Sequence, residues 1–111
     1  MSEAQEQAAV IEWCGWKKIP VFHVPNGGYR NPREAAHLKA QGVKSGVPDL
    51  VVPVPNREYH GLFIEMKVGN NKPSDNQLKW LSLLEDNGYR ATVCWGASEA
   101  IAEIQAYMRD R

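Results

Sequence analysis

The stretch 46-GVPDLVV-52 sets an acid, Asp49, between a proline and a run of strand-forming apolar residues. An aspartate at the mouth of a buried strand costs several kcal/mol of desolvation unless a cation or hydrogen-bond donors compensate it. Asp49 therefore needs a partner. The nearest candidates lie in 61-GLFIEMKV-68, where Glu65 and Lys67 alternate with Ile64, Met66 and Val68 in a second apolar segment.

Leu50 to Val54 and Gly61 to Val68 read as two strands joined by 55-PNREYH-60, short enough for an antiparallel hairpin. Strand side chains alternate with period two, so Glu65 and Lys67 share one face and can converge with Asp49 from the neighbouring strand. Two carboxylates with backbone oxygen suit a hard divalent cation such as magnesium or manganese. An ammonium beside them can hold an attacking water or stabilise charge developing on a phosphate. Together these groups are equipment for hydrolysing a phosphodiester. Taken singly, an ExK pair is also what a solvated same-face pair on a strand looks like, and Asp49 alone is also a turn cap after Pro48. The combination at hairpin spacing carries the argument.

The chain has 111 residues with 43% hydrophobic content, enough for one domain with a core and too short for two ordinary ones, so residues 1–111 are expected to form a single domain. Thirteen basic and thirteen acidic side chains give a formal charge of zero. No global field then argues for or against nucleic acid. The distribution is uneven: Lys17, Lys18, Arg30, Arg33, Lys39 and Lys44 face only Glu34 before Pro48, while Glu85, Asp86, Glu99, Glu103 and Asp110 make the last quarter acidic. Cys14 and Cys94 lie far apart with no CxxC pair, and read as reduced core thiols. The polar start MSEAQEQAAV is not a secretory signal, and no apolar run is long enough to span a bilayer. A cytoplasmic protein with no membrane association is expected.

A first helix should start at Ser2, with Gln5 completing a capping box, bury Ala9, Val10, Trp13 and Cys14, and end at Gly15. Trp16 and Trp13 fit either core or a partner surface. A short strand over 19-IPVFHVP-25 leads to the glycine-bearing loop 26-NGGYRNP-32, in which Asn26 and Gly27 allow close backbone approach and Arg30 can grip a phosphate. His23 on that strand reads as a structural histidine. A polar helix or turn follows from Pro32 to Gln41. Lys44 and Ser45 precede Asp49 where a substrate backbone would pass.

Gln77, Trp80, Leu81 and Leu84 repeat at helical spacing, with Ser74 or Asp75 as cap, Gly88 as terminator and Trp80 in the core. A fourth strand, 89-YRATVCW-95, precedes a last helix capped by Ser98 with Ile101, Ala102, Ile104 and Met108 inward. The expected fold is α/β, a mixed sheet of about four strands flanked by helices.

PD at 48–49 and EMK at 65–67, after a leading helix with glutamate and before a helix opening with glutamine, resemble the PD-(D/E)XK nuclease superfamily and its restriction-endonuclease-like core. More narrowly, PNGG at 25–28, GVKSGVPDL at 42–50, FIEMK at 63–67 and PSDNQLKWLSLLEDNGY at 73–89 are similar to the VRR-NUC domain, as in small stand-alone phage and bacterial proteins. The resemblance spans Glu3 to about Tyr107. It implies that Asp49, Glu65 and the Met66 carbonyl are metal ligands for Mg2+ or Mn2+, that Lys67 is the catalytic lysine, and that Gln77 stands near the active site. An additional acid from the first helix is implied too, either Glu3 or Glu6. Glu3 is preferred because Glu3 and Gln7 have the family's four-residue spacing.

The function so implied is a metal-dependent, structure-selective DNA endonuclease, a homodimeric Holliday-junction resolvase in a bacterial host, encoded by the host or by a phage. The alternatives are a flap or other branched-DNA nuclease, and a non-catalytic nucleic-acid-binding subunit of the same fold. A sequence-specific restriction enzyme would need recognition loops for which this chain has little room.

Overall fold

The structure is a computed structural model that describes residues 1–25 and 31–111. Its elements run α1 (Glu3–Lys17), β1 (Phe22–His23), α2 (Pro32–Ala40), β2 (Leu50–Val52), β3 (Leu62–Lys67), α3 (Asp75–Asp86), β4 (Arg90–Trp95) and α4 (Gly96–Arg109). The four strands form one mixed sheet in the order β1-β2-β3-β4. β2 pairs antiparallel with β1 and with β3, whereas β3 and β4 run parallel. A parallel pair needs a crossover, and α3 supplies it.

The β2–β3 register, Leu50 opposite Ile64 and Val52 opposite Leu62, places Asp49 opposite Glu65 one step beyond the last paired residues. The hairpin is antiparallel as expected, but both strands are shorter than their apolar runs. Pro53 and Pro55 have no amide to donate to a ladder, so β2 stops at Val52.

Along β3, Leu62, Ile64 and Met66 turn to one face and join Val10 and Cys14 of α1 and Ala100, Ile104 and Tyr107 of α4 in the main core. Phe63 on the opposite face packs with Leu81, Leu84 and Ala91, so α3 covers that side. Trp80, expected in the core, is half-buried at the edge of this second cluster. Trp13 is half-buried and Trp16 is 80% exposed. Both cysteines are free and buried, as expected of core thiols, and burial pushes the Cys94 thiol up to about 12.

The capping box expected at Ser2 with Gln5 forms, and of the two candidate caps of α3 it is Ser74 that serves, closing a second box with Gln77. Two helix ends depart from expectation. α1 runs past Gly15 to Lys17, closed by Lys18 in the left-handed region (φ 57°), with the Ile19 amide donating to the Cys14 carbonyl at 2.9 Å. α4 starts at Gly96, directly off β4, and Ser98 is not its cap. Carboxylates serve the amides there: Glu99 Oε1, in the first turn of α4 itself, accepts from the Trp95 amide at 3.2 Å, and Glu6 Oε1 of α1 accepts from the Ala97 amide at 3.1 Å. With the helix phased this way Ala102 is exposed, and Ala100 and Tyr107 take inward positions alongside Ile104. Tyr107 satisfies its buried hydroxyl by donating to the Val54 carbonyl at 2.6 Å.

Candidate active site

Glu3, Asp49 and Glu65 each bring one carboxylate oxygen to a common point, all within 4.8 Å of one another. Glu3 enters from the first turn of α1, Asp49 from the entrance of β2 and Glu65 from the middle of β3. Asp49 is held on two sides. Its Oδ2 accepts from the Met66 amide at 2.8 Å, and its carbonyl accepts from the Val24 amide at 2.8 Å, with His23 Nδ1 at 2.9 Å from the same oxygen. The histidine thus serves the backbone of the acid, in line with a structural reading.

Glu65 is 2% exposed. Its Oε2 accepts from Gln77 Nε2 at 3.2 Å and lies 3.5 Å from Lys67 Nζ. Burial is the largest influence on its acidity, and the hydrogen bond and like charge of Asp49 add to it. Against the opposing pull of Lys67 they push the carboxyl up to about 8. Glu3 is raised as well, by burial first and then by Asp49. One lysine is thus too little positive charge for three clustered acids. Oxygen donors alone, partial burial and a deficit of positive charge are what a hard divalent cation fits.

Gln77 reaches Glu65 because the capping box fixes it: its Oε1 accepts from the Ser74 amide at 2.8 Å, leaving Nε2 to point at the carboxylate. A cleft of about 320 Å³ opens over two of the acids, lined by Glu3, Ala4, Gln7, His23, Pro25 and Asp49.

The other residues singled out in the sequence separate into three groups. Glu6 does not join the acids; its carboxylate serves the start of α4. Ser45 accepts at Oγ from Asn76 Nδ2 at 3.3 Å, and Lys44 lines a neighbouring groove with Leu38, Val43, Val47 and Trp80. Asn26, Gly27 and Arg30 lie outside the described residues.

Gly46, to which the sequence alone assigns no role, shapes the approach to Asp49. Its φ is +92°, and a Cβ there would stand 2.6 Å from the Asn76 backbone carbon. A glycine three residues ahead of the aspartate was the available signal, but nothing local tells that α3 packs against it. Among the described residues, no helix is long and apolar enough to cross a membrane.

The family model of the VRR-NUC domain matches residues 1–98. Among solved structures, the chain is similar to a "VRR_NUC domain protein" with a TM-score of 0.87 and 32% identity, over 99% of this chain and 90% of that one. The comparison with curated proteins finds no match. The acids at the β2–β3 junction, the lysine two residues beyond the glutamate and the glutamine opening α3 thus sit in the fold that the comparisons share, and the chain belongs to the VRR-NUC domain family, of nuclease type.

Proposed function

We propose that the protein is a metal-dependent endodeoxyribonuclease that cuts branched DNA as a homodimer, with the four-way Holliday junction as substrate. The observation that carries this reading is the convergence of Glu3, Asp49 and Glu65 within 4.8 Å, with Lys67 beside Glu65.

Asp49 and Glu65 would hold Mg2+ or Mn2+, with Glu3 as the third carboxylate. Met66 would contribute its carbonyl: its amide points at Asp49, and in a strand the amide and carbonyl of one residue face the same side. When bound, such an ion supplies Lewis acidity toward a phosphoryl oxygen and acidifies a coordinated water. Lys67 places an ammonium where it orients that water and offsets charge growing on the phosphate. Gln77 keeps Glu65 turned toward the site, and burial of Glu65 shields it from bulk water.

A symmetric pair of active sites suits a symmetric branch point that needs two cuts. Pairing also enlarges the surface offered to DNA by a chain whose formal charge is zero. The test is cleavage of mobile four-way junctions, flaps and plain duplex with Mg2+, Mn2+ or EDTA. The expected result is paired cutting of junctions with either metal and none with EDTA; intact junctions in Mn2+ overturn the proposal.

A further inference from the structure

Among the described residues, helix α2 is only lightly anchored. It is nine residues long, buries none of them and leaves only Leu38 half-covered. Helices shorter than about 12–15 residues are marginal in water unless an apolar face packs against something. The anchor here is a single half-covered leucine, which lines a groove together with Val24, Pro25, Val43 and Trp80. Asn31 and Pro32 start the helix correctly, Asn31 Oδ1 accepting from the Glu34 amide at 2.8 Å.

The outward side of this helix has a definite chemistry. With about 100° between successive residues, Arg33, Ala36 and Ala40 point away from Leu38, flanked by His37 on one side and Lys39 on the other. Glu34, the one acid, is exposed but lies only about 40° from Leu38, off the outward side. Arg33, His37 and Lys39 are exposed, and among the described residues neither Arg33 nor Lys39 forms an ion pair. Ala36 and Ala40 leave room for a bulky strand to approach, and Arg33 beside them with Lys39 at one margin suits phosphates. The helix is also in the right place. Pro25 lines both the groove that Leu38 helps to line and the cleft over Glu3 and Asp49.

We infer that α2 is a DNA-backbone clamp: the exposed Arg33–His37–Lys39 side of a helix anchored through Leu38 beside the acid cleft takes the phosphates flanking the scissile one, and the helix is stabilised by that contact. This deepens the nuclease reading above and rests on it. It supplies what the site lacks, since three clustered carboxylates repel a polyanion and the chain has no net positive charge to offset them.

The experiment uses the full chain carrying Asp49→Asn, so that labelled four-way junctions and duplexes stay intact, and measures binding by anisotropy across a KCl series. The double variant Arg33→Ala/Lys39→Ala is compared with Lys79→Ala/Arg111→Ala, which removes the same charge elsewhere. Removal of two phosphate contacts should lower the slope of log affinity against log salt by about 1.8, and the control should not change it. Amide exchange over residues 31–41 should slow severalfold when junction DNA is added. An unchanged salt slope with unchanged exchange overturns the clamp. So does a change in oligomeric mass on losing Arg33 and Lys39 with the slope intact, because α2 then faces a second copy. If the unsubstituted protein cuts DNA and the α2 variant cuts it equally well, only the clamp falls; if the unsubstituted protein neither binds nor cuts, the nuclease reading falls with it.

Discussion

Gln77 donates from Nε2 to Glu65 Oε2 at 3.2 Å while the other end of the same amide closes the capping box of α3. One side chain thus couples the start of a helix to the orientation of a buried acid. The two duties are separable. Gln77→Glu keeps a residue able to complete the box but puts a like charge beside Glu65, whereas Gln77→Ala loses both. We expect metal-dependent cutting to fall about 10–100-fold in each, as for the loss of a group that orients a ligand. Thermal denaturation separates them in EDTA, where the alanine variant alone should also lose about 1 kcal/mol of helix capping.

Glu65 predicts an unusual pH profile for the metal-free fold. Its carboxyl titrates near 4.5 when unfolded and is raised to about 8 in the native state. Between those values the native state holds a proton that the unfolded chain has lost, so this group makes stability fall as pH rises through the window and level off above about 8. In EDTA the melting temperature should drop by several degrees from pH 5 to pH 8. Added Mn2+ should restore it at the alkaline end, and Glu65→Gln should flatten the profile. A metal-free melting temperature that climbs across that range would contradict the assignment.

Two glycines should respond oppositely to alanine. Gly46 sits at φ +92° with its pro-Cβ position 2.6 Å from the Asn76 backbone, so Gly46→Ala should cost roughly 1–3 kcal/mol in urea denaturation and displace Asp49 enough to slow cutting. Gly15 lies within α1, and a Cβ there meets nothing within 4 Å. Gly15→Ala should therefore stabilise by about 0.5–1 kcal/mol and leave cutting alone.

The first two glutamates of α1 should divide function from stability. Glu3→Ala removes one of the converging carboxylates; cutting should fall by at least about tenfold, with the metal-free fold unharmed, since a partly buried like charge is removed. Glu6→Ala uncovers the Ala97 amide at the start of α4, which should cost about 1 kcal/mol and lower the melting temperature by several degrees. Manganese affinity by calorimetry should change for the first variant only.

Much of this architecture follows from local rules. The order of elements, the antiparallel pairing of β2 with β3, the Ser2–Gln5 capping box and the shared face of Glu65 and Lys67 rest on periodicity of two or 3.6, on proline and on hydroxyl caps, all legible within a few residues. Decisions between near-equivalent residues were settled only by packing. Glu3 and Glu6 lie one helical turn apart and look alike in sequence, yet the uncapped start of α4 takes Glu6 and leaves Glu3 beside Asp49. Ser98 has the ordinary chemistry of a cap, but β4 runs straight into α4 and an acid from another helix does the capping instead. Burial of Glu65 likewise needs α3 on one side and Asp49 on another, which no window of sequence contains. Spacing along a chain determines which faces exist; which groups meet across them is decided by elements far apart in sequence competing for the same unsatisfied amides and charges.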